Sequence, residues 1–132
     1  MENANVTENS FLLQEETYSI RGAIFEVCKE LGAGFLEAVY HECLRREFTM
    51  RQSPFVSQPE LRISYKGDSL PITYIPDFVC YGKIIVELKA SKDLTDDFRA
   101  QLHNYLRMSG LKLGLLVNFG HTPKVEIERI IY

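Results

Sequence analysis

The sequence predicts an α/β domain in which a central mixed β-sheet is flanked by helices. Two helical apolar patterns come first, alternating and β-branched segments follow them, and another helical pattern separates those segments from the last strands. The length of 132 residues is that of a single domain. We expect residues 1–16 to form a flexible lead-in and residues 17–132 to form the domain.

Three helices are predicted from apolar spacing and end signals. Apolar side chains recur at helical spacing within residues 17–31, and Gly32 is placed to end that helix. A second apolar stripe covers residues 36–48, so the first two helices should pack as a pair. The third helix should begin at Thr95, whose hydroxyl can cap free amides, and end at Gly110.

Three segments between the second and third helices are predicted to form consecutive antiparallel strands. They cover residues 61–65, 72–79 and 84–89, and short turns join them. Two further strands are expected over residues 113–119 and 125–132. Because a strand reached across a helix usually pairs in parallel through a right-handed crossover, the sheet should be mixed.

The composition indicates an ordinary globular chain. Hydrophobic residues make up 45% and charged residues 25%, which are average values and suggest neither disorder nor a membrane location. No apolar run approaches the roughly 20 residues that span a bilayer. The polar start over residues 1–10 lacks the basic and apolar segments of a secretory signal, so a cytoplasmic location is expected.

The charge distribution permits a nucleic-acid partner without predicting one. The formal net charge is -3, whereas phosphate binding normally leaves a basic footprint. Residues 1–16 hold four acidic and no basic side chains, so the remaining chain carries 15 basic and 14 acidic side chains, or +1. Five basic residues could contact phosphates, but scattered basic side chains are usually solvated surface: Arg45, Arg46, Arg51, Lys92 and Arg99.

The cysteines are expected to be buried, reduced and structural. They are odd in number and lie inside apolar patterns, where a free thiol behaves as a small hydrophobe: Cys28, Cys43 and Cys80. No zinc site is predicted, because the sequence has no C-x2-C pair and no histidine at metal-ligand spacing from the cysteines. On its predicted helix, His103 should be an exposed polar residue.

The candidate chemistry comes from Asp77, Glu87 and Lys89. Glu87 and Lys89 are two apart on one strand and therefore share a face, where burying charge is costly unless something binds it. The hairpin turn can bring Asp77 beside Glu87, and converging carboxylates favour a hard cation such as Mg²⁺. Lys89 could help to deprotonate a water molecule and stabilise charge on a phosphate under attack. Metal-assisted phosphodiester hydrolysis is the reaction that these groups suit.

A structural explanation of the same residues stays open at this point. Asp77 and Glu87 could pair with Lys89 in an ion cluster that binds nothing, since an E-x-K pattern on a strand is common and structural ion networks also perturb charges.

The wider pattern resembles a known superfamily. Pro76-Asp77, a nine-residue gap and Glu87-Leu88-Lys89 look like the P-D-x(n)-[D/E]-x-K signature of the PD-(D/E)XK nucleases. Residues 34–40, GFLEAVY, match the G-x-x-E-x-x-Y motif that names the small GxxExxY proteins of that superfamily. Residues 101–105, QLHNY, resemble the Q-x-x-x-Y element of some nuclease branches. The resemblance covers roughly residues 17–120 in the right order.

The resemblance implies a restriction-endonuclease-like core and a nuclease that uses Mg²⁺, or Mn²⁺ in its place, on nucleic acid, with DNA favoured over RNA. It implies that Glu37 completes a metal site with Asp77 and Glu87, and that Gln101 assists Lys89 or the substrate. Tyr40 and Tyr105 would support the site. Glu37 could instead be a surface or helix-start charge, and Tyr105 could simply be part of the core.

A second function stays open from the sequence. The chain could be a nucleic-acid- or protein-binding module that keeps a nuclease-like fold without cleaving, because its overall basicity is weak. A homodimer is compatible with either function, since a chain this small could need a second copy to hold a duplex.

Overall fold

The computed structural model describes residues 13–132. Within them the chain forms, in order, α1 (Gln14–Leu31), α2 (Glu37–Met50), β1 (Phe55–Ser57), β2 (Leu61–Tyr65), β3 (Asp68–Tyr74), β4 (Phe78–Cys80), β5 (Ile84–Lys89), α3 (Asp96–Ser109), β6 (Leu113–Asn118) and β7 (Glu126–Ile131). The first helix begins at Gln14, inside the predicted lead-in. The expectation for residues 1–12 lies outside the described part of the chain.

A five-stranded mixed sheet forms the centre of the fold, in the order β1-β4-β5-β6-β7. β5 and β6 pair in parallel, with α3 between them in the chain, whereas the other neighbouring pairs are antiparallel. The prediction of an α/β fold with a mixed sheet and flanking helices is therefore confirmed.

The strand predicted over residues 72–79 is in fact two strands in different sheets. β3 pairs with β2 in a separate two-stranded sheet, while β4 joins the central sheet, so the prediction of three consecutive antiparallel strands is wrong. The break has a physical cause: Pro76 has no N–H to give to a ladder, and the N–H of Asp77 donates to a side chain instead. β1, which has only three residues and was not predicted, occupies the place beside β4.

The two faces of β5 contact different layers. Val86 and Leu88 are fully buried in a core cluster that includes α1 and α2 side chains. Ile85, on the opposite face, is buried in a second cluster with Leu102 and Leu106 of α3. Glu87 and Lys89 project toward this α3 face, as the two-residue alternation predicts.

The ends of the helices follow the predicted signals. The N–H of Gly32, at φ 68°, donates to the Cys28 carbonyl oxygen at 2.8 Å and ends α1. The Thr95 hydroxyl accepts a 3.2 Å hydrogen bond from the Phe98 N–H and caps α3, which ends at Gly110 with φ 81°. α1 and α2 pack against each other.

All three cysteines are free thiols, but only Cys80 is buried. Cys28 and Cys43 are half-buried at the edge of the core, so the prediction of full burial is wrong for these two. Both lie on α1 or α2 at positions where the helix surface meets solvent. Among residues 13–132, no helix combines the length and the apolar character that a membrane span needs.

Candidate active site

Asp77 and Glu87 meet where β4 begins opposite β5. Phe78 pairs with Val86 in the antiparallel register, which places the residue before β4 opposite Glu87. The Asp77 N–H donates to Glu87 Oε1 at 2.8 Å, and the Leu88 N–H donates to Asp77 Oδ2 at 2.8 Å. The antiparallel register therefore places Asp77 beside Glu87, and each carboxylate accepts a backbone N–H from the opposite segment.

His41 holds the other oxygen of Asp77. Its Nδ1 lies 2.9 Å from Asp77 Oδ1, and its Nε2 lies 2.9 Å from the Ser57 hydroxyl oxygen. Since an ionised carboxylate can only accept, Nδ1 carries the proton and donates to Asp77. The imidazole also stacks on the Phe78 ring, with 4.4 Å between centroids and 11° between planes. Asp77 is thus fixed at both oxygens.

Sequence reasoning missed His41 and Ser57. A usable signal existed for His41, because it follows Glu37 by four residues on α2 and must share a helix face with it. Ser57 belongs to β1, whose three residues are too few to show a strand period.

Glu87 is a carboxyl whose charge is disfavoured. Burial raises the pKa of Glu87 to about 7, and the nearby charge of Asp77 adds to the rise. The hydrogen bond from the Asp77 N–H, the nearby Tyr74 hydroxyl and the charge of Lys89 oppose the rise. Two neighbouring carboxylates that repel each other when both are ionised are stabilised by a hard divalent cation. The oxygen ligands of Asp77 and Glu87 therefore fit a metal of the Mg²⁺ class.

Glu37 is the first residue of α2 and points into a cleft rather than into the core. It is exposed, which differs from the inward position inferred from its apolar helical neighbours. The cleft has a volume of about 400 Å³, and Asp77 and His41 also line it. Partial loss of solvent raises the pKa of Glu37, and the charge of Asp77 raises it further. Glu37 is therefore near Asp77, at a helix start.

Lys89 stays free of ion pairs within residues 13–132. Its Nζ lies 4.5 Å from the centroid of the Phe98 ring, which gives a cation–π contact. Its charge still acts on Glu87 and Glu37, because it opposes the rise in pKa that burial causes at both. The ion-cluster explanation is not supported, since Lys89 contacts neither carboxylate directly.

Gln101 and Tyr105 lie on the α3 side of β5. The Gln101 side-chain amide donates to the Tyr105 hydroxyl at 3.5 Å, and Gln101 is otherwise exposed. The Tyr105 ring stacks on Tyr74, with 3.5 Å between centroids and 6° between planes. These three residues line one narrow space together with Glu87 and Lys89. Tyr74 was not predicted, and its position in the sequence gives no signal of this contact.

Tyr40 is fully buried, and its hydroxyl bonds to the segment that links α1 and α2. Its hydroxyl donates to the Gly32 carbonyl oxygen at 2.6 Å and accepts from the Phe35 N–H at 3.3 Å. Its ring stacks on Phe119 with 4.5 Å between centroids. Tyr40 contacts none of the carboxylates and fixes the segment that leads into Glu37.

A separate group of potential metal ligands comprises Asp93 in the loop after β5, His121 in the loop after β6 and Glu126 at the start of β7. The ligand atoms of Asp93, His121 and Glu126 all lie within 4.8 Å of one another, and within residues 13–132 this is the only such set of three. Glu37, Asp77 and Glu87 do not meet this criterion together, so a shared ion would need their side chains to draw closer. Sequence spacing did not indicate this group, because Asp93 lies 28 positions before His121 and the spacing of His121 and Glu126 matches no ligand motif.

All four arginines considered for phosphate contact are paired with acids. Arg45 and Arg46 both bond to Glu42, Arg51 bonds to Glu47, and Arg99 bonds to Glu128 and Asp96. This agrees with their interpretation as solvated surface. His103 is exposed, as predicted.

Comparisons with known proteins bear on the family and the fold of the chain. A sequence profile of the PD-(D/E)XK nuclease superfamily matches residues 14–130. The solved structure of SSO0001 is similar in fold, with a TM-score of 0.56 and 19% identity over 72% of this chain and 50% of that chain. The chain thus spans about half the length of that protein. No curated protein matches the chain.

Proposed function

Because the chain belongs to the PD-(D/E)XK nuclease superfamily, we propose that it is a metal-dependent nuclease that hydrolyses phosphodiester bonds. The observation that carries this proposal is the hydrogen-bonded pair of Asp77 and Glu87, with Lys89 on the same strand face and free of any ion pair among the described residues. In a structure without a ligand, an unpaired ammonium next to clustered carboxylates raises the free energy of the folded state. In a phosphate-binding site the same ammonium can stabilise the charge of the substrate.

Asp77 and Glu87 would hold the metal, with Glu37 contributing from the start of α2. All three offer carboxylate oxygens, which suit Mg²⁺ and its substitute Mn²⁺. When bound, the cation would supply positive charge that stabilises the charge developing on the phosphate. His41 would keep Asp77 oriented through its 2.9 Å hydrogen bond, as supporting groups around metal ligands do.

Lys89 and Gln101 would act on the substrate and the attacking water. The water oxygen bonds to phosphorus while the bond to one bridging oxygen breaks, so one fragment keeps the phosphate and the other takes a hydroxyl. Lys89 would stabilise the negative charge that builds up, and its contact with the Phe98 ring keeps the ammonium near the β5 face. Gln101, exposed on the same wall, would orient the water or the substrate.

The finer assignments belong to this proposal. GFLEAVY over residues 34–40 supports membership of the GxxExxY branch, and the superfamily implies a nucleic-acid substrate, for which we favour DNA over RNA. We propose a cytoplasmic location for the protein. A homodimer would give a chain of 132 residues a longer surface for a duplex.

A non-cleaving binding module is the second candidate. It is favoured by the ion pairs of Arg45, Arg46, Arg51 and Arg99, which neutralise four of the 15 basic side chains and lower the expected affinity for nucleic acid. Such a module would keep the nuclease-like fold and could still bind the metal.

Cleavage assays separate these candidates. Labelled single- and double-stranded DNA and RNA are incubated with Mg²⁺ or Mn²⁺ and with each of three proteins: the unaltered chain, Lys89→Ala and Lys83→Ala. Lys83 is exposed at the opposite end of β5 and serves as the matched control. We expect cleavage by the unaltered chain and by Lys83→Ala, and loss of at least about a hundredfold in Lys89→Ala. Binding without cleavage under every condition would instead support the module.

A further inference from the structure

The Tyr74 hydroxyl is a buried polar group without a hydrogen-bond partner of standard geometry in the described structure. Tyr74 is 9% exposed and is the last residue of β3, three residues before Asp77. A buried hydroxyl left without a bond destabilises the fold, and such groups in native proteins are rare. The position therefore calls for a functional explanation.

The surroundings of the Tyr74 hydroxyl leave few possible hydrogen-bond partners. The space that Tyr74 lines with Glu87, Lys89 and Gln101 is too narrow for a water molecule. The ring cannot swing away easily, because it is stacked on Tyr105 at 3.5 Å. A bond must therefore come from a side chain that already borders this space.

Glu87 carries the one carboxylate among the residues that line this space, so it is the strongest acceptor available to the hydroxyl. Tyr74 opposes the rise in the pKa of Glu87 that burial causes, as a donor to its carboxylate would. In return, burial and then the charge of Glu87 raise the pKa of Tyr74, so the hydroxyl keeps its proton and remains a donor. The two groups border the same space, and their present geometry falls short of a regular hydrogen bond.

We propose that Tyr74 is a positioning residue for Glu87, whose carboxylate it holds toward Asp77 by donating a hydrogen bond from its hydroxyl. The Asp77 N–H already binds Glu87 Oε1 at 2.8 Å, and a second donor would fix the plane of the carboxylate. The proposal deepens the nuclease assignment and rests on it for its purpose, since an oriented Glu87 is what a metal site requires. Packing alone does not need this hydroxyl, because a phenylalanine ring would fill the same place.

The test compares Tyr74→Phe with Tyr65→Phe, a control that removes a hydroxyl from an exposed tyrosine on β2. In metal-free protein at about pH 9, where Glu87 is ionised, the carboxyl carbon resonance of Glu87 should shift in Tyr74→Phe and stay in place in the control. In the unaltered chain, a nuclear Overhauser effect should connect the Tyr74 hydroxyl proton to the Glu87 γ protons. That second measurement needs no variant to fold.

Thermal unfolding and Mn²⁺ binding separate positioning from packing. Tyr74→Phe should unfold at the same or a higher temperature than the unaltered chain, yet bind Mn²⁺ about tenfold more weakly. An unchanged Glu87 resonance, together with no Overhauser effect in the unaltered chain, would overturn the proposal. If the unaltered chain cleaves no substrate but the Glu87 resonance still responds to Tyr74→Phe alone, the nuclease assignment fails and the positioning contact stands.

Discussion

The main-chain N–H of Asp77 donates a 2.8 Å hydrogen bond to Oε1 of Glu87. In a continuous strand this N–H would bond to the backbone of a neighbouring strand. Here it bonds to a side chain instead. The bond therefore marks the start of β4 and holds the Glu87 carboxylate against Asp77. Because the carboxylate is also largely buried, the free energy of its ionisation is raised.

The first prediction concerns stability against pH. Burial raises the pKa of Glu87 from 4.5 to about 7, so the folded chain binds this proton more tightly than the unfolded chain. The free energy of unfolding should therefore fall as the pH rises from 4.5 to about 7, by at most about 1.4 kcal/mol per pH unit. Denaturant unfolding with a metal chelator present measures this slope.

Glu87→Gln should remove most of that fall, because the glutamine side chain does not titrate. Glu30→Gln, a change at an exposed glutamate of α1, should keep the pH dependence of the unaltered chain. The same slope in Glu87→Gln and in the unaltered chain would show that the pKa of Glu87 is not raised by folding.

The second prediction concerns His41. His41→Phe keeps a ring to stack on Phe78 but removes the bonds to Asp77 and Ser57. With one carboxylate oxygen released, we expect Mn²⁺ affinity to fall by about tenfold or more, measured by isothermal titration calorimetry. The control is His103→Phe, at an exposed position on α3. Equal affinity in both variants would mean that Asp77 needs no support from His41.

The third prediction separates a structural tyrosine from the site. Tyr40→Phe leaves the Gly32 carbonyl oxygen and the Phe35 N–H without their hydroxyl partner. We expect the free energy of unfolding to fall by about 0.5–1.5 kcal/mol, because the hydrogen bonds of the hydroxyl are lost while the exposed Gly32 and Phe35 can bond to water instead. Cleavage per folded molecule should change by less than about twofold. A large loss of cleavage with normal stability would instead place Tyr40 in the chemistry.

Local patterns were enough to predict most of the elements. The helix ends were predictable from single residue types, namely glycine at positions 32 and 110 and threonine at position 95. The two faces of β5 were predictable from the alternation of side chains along a strand. The break before β4 was missed because residues 72–79 have the residue types of one continuous strand. Pro76, and the hydrogen bond from the Asp77 N–H to the Glu87 side chain, interrupt that strand. The local apolar pattern does not indicate that β3 and β4, the two parts of this run, join different sheets.

The site was predictable where its residues share a motif and not where they meet through folding. Asp77, Glu87 and Lys89 are joined by one hairpin, so their spacing carried the information. His41 contacts Asp77 from a different element, 36 positions away in the chain, and Tyr74 meets Tyr105 through the approach of β3 to α3. Such contacts depend on how the layers pack, which no local period encodes.

Mn²⁺ binding and Mn²⁺-dependent cleavage, measured on the same preparations, test the central assignment most directly. The comparison is between Asp77→Asn, which alters the proposed site, and His121→Ala, which alters the separate group of Asp93, His121 and Glu126. We predict that Asp77→Asn loses both the tightest bound Mn²⁺ and cleavage, whereas His121→Ala keeps both. Retention of the tight ion and of cleavage in Asp77→Asn, with their loss in His121→Ala, would contradict the account.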